Sequence, residues 1–331
     1  MIGAVQRLLR STDAAVAGAY LSVFRERDAL VPLLFHSLFA DDAEIARNDI
    51  DPLDRITVAR FRQCVKYYAD HGYRFVTPAD LLAGPPQGRL AMLTFDDGYH
   101  NNTLALPVLE EFDVPAVFFI STEHVRLGKC FWWDVLHRER TARGTPADAI
   151  DRERRALKRL RTEDIEAHLV KEFGPAWLAP RGDVDRPFTP AELRDFSRHR
   201  LVRLGNHTAN HAILTNYPEQ EARRQVAAAQ EWLANEIGVT PAAIAYPNGG
   251  SNDAVVRFCQ QLGLKLGFTV RPRKSPLPLD ARADGLLRLG RFTPHADSPV
   301  DAQCRAYRSD VQLYGTFRSG YLKLRGREEA Y

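Results

Sequence analysis

Cysteine pairs, a strong net charge and sequence repeats are all missing from this chain. Its four cysteines, in 331 residues, include no Cys-x-x-Cys pair and predict reduced, mostly buried thiols of a cytosolic protein rather than a disulfide framework: Cys64, Cys130, Cys259 and Cys304. A formal net charge of +3 is too small to imply a nucleic-acid partner, and no RNA- or DNA-binding motif is present. The absence of internal repeats and low-complexity tracts excludes repeat architectures.

Long apolar runs are also missing. The apolar stretch at residues 14–24 is too short to span a bilayer. Asp13 precedes it, the charged residues 25–28 follow it, and no Ala-x-Ala cleavage site is present, so it does not match a secretion signal. We therefore predict a cytoplasmic protein. The alternative is a protein on the inner face of the membrane, held there by its N-terminal helix or by its basic tail.

Residues 1–29 are predicted to form an amphipathic helical extension that packs on the main domain. Its predicted apolar stripe comprises Val5, Leu8, Leu9, Val16, Tyr20, Val23 and Phe24. The main domain is predicted at residues 30–300, and a basic tail with interleaved aromatic residues at 301–331. The main domain alternates strand and helix patterns, which favours an α/β fold with a parallel sheet and outer helices.

Two adjacent carboxylates follow a predicted buried strand. Residues 89–95 are mostly apolar after a turn-rich segment, and the chain continues as Asp96, Asp97 and Gly98. Gly98 allows a sharp turn at no Cβ cost. Successive residues of an extended chain point in opposite directions, so we expect the two carboxylates to have different roles. One can hold a metal while the other faces the substrate. Taken alone, this pair is more typical of a solvated turn.

Two histidines follow another predicted strand, at residues 200–205. His207 and His211 are four residues apart, and on one helical turn this spacing brings both rings to one face. Two imidazoles and one carboxylate leave a coordination position open for water, which is typical of a catalytic divalent-metal site. These ligands suit Zn²⁺ first, although Ni²⁺ and Co²⁺ compete. Taken alone, the histidines could be ordinary surface residues, but the two motifs together favour the metal site.

The chain resembles the polysaccharide deacetylases, the NodB-homology group of carbohydrate esterase family 4. The resemblance rests on residues 94–98 (Thr-Phe-Asp-Asp-Gly), 207–211 (His-Thr-Ala-Asn-His) and 245–249 (Ala-Tyr-Pro-Asn-Gly), and it extends from about residue 31 to residue 294. The third motif has the form found in one branch of that family. The resemblance implies a distorted (β/α)7-like barrel, a divalent metal and removal of the N-acetyl group from an amino sugar.

The resemblance also implies the roles of the site residues. Asp97, His207 and His211 would bind the metal, and Asp96 would be the general base. Amide hydrolysis requires an activated water, a polarised carbonyl and a proton for the leaving amine, and a bound metal can supply the first two. A backbone N–H of the third-motif turn would stabilise the oxyanion. The expected substrate contacts are Tyr246, Asn248, Gly249, Trp132, Trp133 and Arg291.

Two departures from the family pattern concern the groups around the base. Many relatives have an arginine in the third motif that braces the base, where this chain has Ala245; Arg291 or Arg288 is the candidate replacement. The closing motif, which supplies a histidine as general acid, has only a poor match ending at His295. In the branch with this third motif, a histidine at the end of the first strand takes that role. His36 is therefore the first candidate for the general acid and His295 the second.

About eighty residues, 122–200, separate the first two motifs where a simple barrel needs one crossover helix. We predict a helical insertion there, with exposed charged helices at 147–173. Near its start lie adjacent aromatic residues, Trp132 and Trp133, which could be core or a stacking wall for a sugar. We expect the insertion to cover the cleft and to set substrate size.

The sequence favours a metal-dependent carbohydrate de-N-acetylase that acts in polysaccharide or cell-surface glycan biosynthesis. Its expected partner is an N-acetylated sugar: a glycan, an oligosaccharide or a carrier-linked sugar. Two alternatives remain open. One is a deacylase of a non-sugar amide or an O-acetyl ester on the same fold, and the other is a catalytically impaired carbohydrate-binding homologue.

Overall fold

The computed structural model of the chain describes residues 2–279 and 283–311. Most of the predicted basic tail, residues 312–331, lies outside the described residues. Within them, eight strands form one sheet: β1 (Ala29–Phe35), β2 (Arg74–Phe75), β3 (Arg89–Phe95), β4 (Ala116–Ile120), β5 (Val202–Asn206), β6 (Ala243–Ala245), β7 (Leu266–Phe268) and β8 (Ser275–Pro276).

Helices lie before the first strand and between most of the strands that follow, with five of them between β4 and β5. The described helices are α1 (Ile2–Val23), α2 (Asp42–Ala46), α3 (Val58–Asp70), α4 (Pro78–Leu82), α5 (Leu106–Phe112), α6 (Thr122–Leu127), α7 (Trp132–Ala142), α8 (Ala147–Leu157), α9 (Thr162–Phe173), α10 (Pro190–Ser197), α11 (Glu219–Trp232), α12 (Asp253–Gln261), α13 (Ala283–Leu286) and α14 (Val300–Arg308). Short 3₁₀ turns lie at His100–Ala105, Leu214–Asn216 and Pro247–Gly249, and a π-helical turn at Leu233–Ile237 extends α11.

The sheet is parallel except at one edge. Its strand order is β7-β6-β5-β4-β3-β1-β8, with β2 also pairing with β3, and only β8 runs antiparallel to its neighbour. Strands β1 and β3 are completely or almost completely buried, as expected for parallel strands covered on both faces. The curled, mainly parallel sheet and its outer helices confirm the predicted α/β fold.

Residues 289–292 connect the two sides of the curled sheet. The carbonyl of Leu289 accepts a hydrogen bond from the Thr269 N–H (2.8 Å), directly after β7. The carbonyl of Phe292 accepts one from the Leu34 N–H of β1, also at 2.8 Å. Residues 289–292 thus bond to both β7 and β1. They close the sheet through isolated bridges rather than through a regular strand.

Capping residues explain several helix boundaries. Thr189 and Glu192 form a capping box at the start of α10. Gly238 ends the π-helical turn after α11 in the left-handed conformation, with φ 81°. The side chain of Asn252 caps α12 by accepting a hydrogen bond from the Val255 N–H.

Helices α6–α10 form the insertion between the first two motifs. Helices α7–α9 do not lie exposed on the surface as independent helices, because they share a small apolar core of their own. Its buried members are Cys130, Trp132, Val135, Leu136, Ile150, Leu157, Ile165, Leu169 and Trp177. The sparse apolar positions of residues 147–173 are therefore the ones that anchor the insertion.

The N-terminal helix α1 packs against α14. Ala17 is fully buried there, and the Tyr20 hydroxyl donates to Asp310 (2.9 Å). Two members of the predicted apolar stripe are not in this contact, because Val23 is 74% exposed and Phe24 is 57% exposed at the end of the helix. Among residues 2–279 and 283–311, no helix combines the length and apolar character needed to cross a membrane.

Candidate metal and catalytic site

The candidate site lies at the carboxyl ends of the central strands. Asp96 and Asp97 follow β3, His207 follows β5, and His36 follows β1. The parallel register pairs Phe35 with Phe95, so His36 and Asp96 leave neighbouring strands at the same level. This edge is where ligands bind in parallel α/β sheets.

Three side chains meet around one point. The Oδ1 atom of Asp97 lies 3.3 Å from Nε2 of His207 and 3.3 Å from Nε2 of His211. The three candidate ligand atoms all lie within 4.8 Å of one another. Oδ1 of Asp97 is buried and has no hydrogen-bond partner. An orphaned carboxylate oxygen facing two ring nitrogens fits a divalent cation, because a buried polar atom otherwise requires a partner.

The second motif is a loop rather than the predicted helical turn. Thr208 and His211 both have positive φ, 65° and 47°, so the rings converge through two left-handed residues. Neighbouring groups hold this strained backbone in place. The Thr208 N–H donates to Oδ1 of Asn206 (2.8 Å), and the Ala212 N–H donates to Oγ1 of Thr208 (2.8 Å). The rings still converge, but on a backbone that the i, i+4 spacing does not predict.

Hydrogen bonding orients the imidazole of His207 for metal binding, and burial keeps that of His211 neutral. Nδ1 of His207 lies 2.7 Å from the carbonyl oxygen of Ala245. A carbonyl only accepts, so Nδ1 carries the proton and Nε2 presents its lone pair towards Asp97. Burial and the nearby imidazole of His207 hold the pKa of His211 well below its usual range. His211 is therefore in the neutral form that binds a metal, and the bond at Nδ1 of His207 leaves its Nε2 as the candidate ligand atom.

Arg291 braces Asp96. Its Nη1 and Nη2 donate to the two carboxylate oxygens of Asp96, each at 2.7 Å. Burial alone would raise the pKa of Asp96, but the charge of Arg291 outweighs it and the pKa is lowered. Nε of Arg291 also donates to the Thr269 carbonyl (3.1 Å). The expectation that Arg291 contacts substrate is wrong, because its side chain is fully buried and committed to these partners. Arg288, the other candidate brace, pairs with Asp253 instead.

His36 and His295 both line the cleft, but their surroundings differ. Nδ1 of His36 lies 2.8 Å from Oδ2 of Asp54. Burial would lower the pKa of His36, yet the hydrogen bond and charge of Asp54 raise it to about 9. The backbone of His295 is held by Gln303, which accepts from its N–H (3.0 Å) and donates to its carbonyl (2.7 Å).

The third-motif turn supplies fewer substrate contacts than predicted. Tyr246 is fully buried in the apolar core beside α11 and α12, so its side chain does not reach the cleft. The Gly249 N–H donates to the Tyr246 carbonyl (2.8 Å), and Gly249 does not line the cleft. The predicted substrate contacts of Tyr246 and Gly249 are therefore wrong. The Tyr246 ring packs in the core, and the Gly249 N–H is already donated within the turn. Asn248 does line the cleft, with φ 54°.

The two tryptophans of the insertion have different environments. Trp132 is only 3% exposed and belongs to the core of the insertion, although it also touches the cleft. The ring of Trp133 lies against His211, with centroids 4.5 Å apart. Its Nε1 donates to the Tyr99 hydroxyl (3.0 Å), which in turn donates to Asp134 (2.6 Å). Trp133 thus forms a wall of the cleft that is tied to the chain following the first motif.

The cleft has a volume of about 370 Å³ and includes residues that the motifs do not indicate. Asp51 and Asp54 come from the loop after α2, and Arg154 and Lys158 come from α8 and its end. Asp51 forms an ion pair with Arg154, which joins that loop to the insertion. Nothing in the local sequence marks these residues, because Arg154 and Lys158 lie in a segment where most residues are charged.

Comparisons with known proteins agree with this geometry. The sequence model of the family described as polysaccharide deacetylase matches residues 83–267, more than half of the chain. No curated protein sequence matches the chain.

Three solved structures illustrate the similarity of fold. Streptococcus pyogenes deacetylase PplD in complex with acetate is 18% identical, with 84% of this chain and 98% of that chain covered and a TM-score of 0.56. IcaB from Ammonifex degensii is 19% identical, with 86% and 98% covered and a TM-score of 0.56. BC0361, a polysaccharide deacetylase from Bacillus cereus, is 18% identical, with 87% and 71% covered and a TM-score of 0.58. At such identities the likeness establishes the fold alone.

Proposed function

Because the chain belongs to the polysaccharide deacetylase family, we propose that it is a metal-dependent hydrolase that removes N-acetyl groups from an amino sugar during glycan assembly. The family assignment confirms the predicted resemblance and the predicted enzyme class, a carbohydrate de-N-acetylase. The observation that supports metal dependence is the buried, unpartnered Oδ1 of Asp97, which faces two imidazole nitrogens beside a carboxylate held by arginine.

Asp97, His207 and His211 would hold the cation. Two nitrogens and one oxygen form a donor set that suits Zn²⁺, with Ni²⁺ and Co²⁺ as competitors. A divalent cation bound there would polarise the amide carbonyl and lower the pKa of a water molecule.

Asp96 would act as the general base. Arg291 keeps it ionised and fixes both of its oxygens, so the carboxylate is oriented before the substrate arrives. In the reaction, a water oxygen attacks the acetyl carbon while Asp96 takes a proton from that water. The carbon–nitrogen bond then breaks, and the products are acetate and a free amino sugar.

His36 would donate the proton that the leaving nitrogen needs. Its ion pair with Asp54 raises its pKa to about 9, so the ring carries that proton at neutral pH. His295 remains the second candidate, since it also lines the cleft. Asn248 lines the cleft and would be the third-motif residue that contacts the substrate.

A cytoplasmic location is part of the proposal. All four cysteines are free, and Sγ of Cys64 and Sγ of Cys304 lie 3.5 Å apart without a bond between them. Unbonded thiols that close together suit a reducing compartment. Cell fractionation with an antibody against the protein tests this; recovery in a membrane or secreted fraction would contradict it.

The experiment that tests the function is acetate release from N-acetylated oligosaccharides and sugar nucleotides, with and without a chelator. We expect release that chelation stops and added Zn²⁺ restores. Asp96→Asn should lower turnover by about 10²–10⁴-fold while the metal content is unchanged, because the base is lost and the ligands remain. Turnover that survives chelation, or that survives this substitution, would refute the proposed roles. Release from O-acetyl esters but not from N-acetyl sugars would indicate an esterase instead.

A further inference from the structure

A lysine of the insertion reaches across the cleft to the third motif. Lys158 lies directly after α8, and its Nζ donates to Oδ1 of Asn248 (3.0 Å). The backbone around it is fixed, because Nδ2 of Asn216 donates to the carbonyls of Lys158 and Leu160, each at 2.9 Å. Helix α8 is also joined to the opposite side of the cleft by the ion pair between Arg154 and Asp51. The ammonium group therefore has a defined position beside the candidate catalytic site.

Lys158 is a half-buried cation without a carboxylate partner among the described residues. The acidic groups around it have other roles: Asp51 forms an ion pair with Arg154, and Asp97 is the carboxylate of the candidate metal site. Asn248 offers only a neutral amide oxygen and uses one of the three ammonium donors. Burial, followed by the charge of Arg154, lowers the pKa of Lys158 to about 8. A sheltered ammonium group with spare donors and no carboxylate in direct contact among the described residues suits an anionic ligand.

We propose that Lys158 binds an anionic group of the N-acetylated sugar, so that the substrates are acidic amino sugars rather than neutral oligomers. The group is a phosphate or a carboxylate, since either presents charged oxygens to an ammonium. This inference rests on the proposed function and specifies its substrate class. The small cleft of about 370 Å³ is consistent with recognition of one or two sugar rings and the group attached to them.

The test compares three substrates that differ in charge. They are a neutral N-acetylated disaccharide, a sugar nucleotide with the same N-acetylated sugar, and a disaccharide that combines it with a uronic acid. The quantity measured is the ratio of kcat/KM for each anionic substrate to that for the neutral one. In the unchanged enzyme we expect a ratio well above one for at least one anionic substrate. The substrate that shows this preference identifies phosphate or carboxylate as the group recognised.

Lys158→Met should lower that ratio by about tenfold or more, because a hydrogen bond to a charged group is lost. The matched control is Arg159→Gln, which removes one positive charge from the adjacent exposed residue and should leave the ratio unchanged. A purely structural role of Lys158 in holding Asn248 would lower kcat/KM for all substrates alike. That result, or an enzyme that prefers the neutral sugar, overturns the inference.

A binding measurement separates this inference from the proposed function. Trp133 lies in the cleft, so binding of a sugar nucleotide can be followed by intrinsic tryptophan fluorescence. The titration uses the Asp96→Asn background, in which turnover is expected to be lost, so that Kd is measured on unchanged ligand. We expect Lys158→Met to raise Kd by about tenfold and to reduce its dependence on salt concentration. Absence of acetate release with this change in Kd would refute the deacetylase but not the anion site. An unchanged Kd would refute the anion site even if acetate is released.

Discussion

Two buried arginine–aspartate pairs occur in different regions of the molecule. At the sheet edge, Arg291 donates to both oxygens of Asp96, each at 2.7 Å. In the insertion, Nη1 of Arg138 donates to Oδ2 of Asp185 at 2.5 Å, and Nη2 donates to the Trp177 carbonyl at 2.8 Å. In each pair, neither side chain is more than 4% exposed.

The difference lies in what else the carboxylate contacts. Asp185 also accepts hydrogen bonds from the backbone N–H groups of Arg181 and Gly182, so these partners and Arg138 all belong to the insertion. Asp96 lies 3.9 Å from Nε2 of His207 and lines the cleft. The same kind of pair therefore shapes a loop in one region and orients the proposed base in the other. Burial and pairing alone do not distinguish the proposed base from a structural carboxylate; its position at the strand edge does.

Arg291→Met should have the largest effect, on stability and activity together. It leaves the carboxylate of Asp96 buried and uncompensated, which costs about 3–5 kcal/mol of unfolding free energy. The base also loses its orientation, so we expect kcat to fall by about 100-fold or more. Denaturant unfolding and acetate release measure the two effects.

The double variant Arg291→Met, Asp96→Asn sharpens this prediction. It removes the stranded charge, so it should recover part of the lost stability while remaining inactive. If the single Arg291→Met variant keeps normal kcat, the arginine is a structural partner like Arg138, and the contrast between the two regions disappears.

His36→Ala should lower kcat by about 100-fold while the metal content, measured by mass spectrometry, stays constant. The matched control is His295→Ala, which should have the smaller effect. His36 is protonated below its raised pKa of about 9, so the rate should fall as pH rises through that value. Asp54→Asn removes the carboxylate that raises this pKa, so the falling limb should move to lower pH. A larger effect at His295 would transfer the acid role to that residue.

Arg138→Met should have the smallest effect on activity. It strands Asp185 in the insertion, so we again expect a loss of about 3–5 kcal/mol in unfolding free energy. Because Asp185 does not line the cleft, kcat/KM per folded molecule should fall by less than tenfold. A loss as large as that of Arg291→Met would mean that the insertion is part of the catalytic framework.

The sequence predicts the parts of the site that depend on short segments. The strand before Asp96 is found at Arg89–Phe95, as predicted. Its signal is local, because a short and mostly apolar run that follows a turn-rich segment predicts a buried strand. The convergence of Asp97 with the two histidines follows from strand ends meeting at one edge. Their backbone does not follow from the spacing, because Thr208 and His211 adopt left-handed conformations. The loop is held by local hydrogen bonds and also by distant ones: the Thr208 carbonyl accepts from the Thr122 N–H, and the Ala209 N–H donates to the Gln225 carbonyl.

The remaining site residues depend on long-range pairing. Arg291 reaches Asp96 only because residues 289–292 bond to both β7 and β1, and the sequence alone could not choose between Arg291 and Arg288. Asp54 and Lys158 lie in segments without a motif, one in the loop after α2 and the other at the end of α8, and only the folded chain brings them to the same cleft. Tyr246 was predicted as a substrate contact because it lies inside a motif, yet its ring fills the core.

Closure of the sheet by residues 289–292 has a consequence for biosynthesis of the enzyme. The arginine that orients the base arrives with the last segment needed to join β7 to β1, almost two hundred residues after Asp96. Before residues 289–292 have been synthesised, Asp96 has no arginine beside it. The proposed base and the arginine that braces it therefore come together only when the chain has been made almost to the end of the sheet.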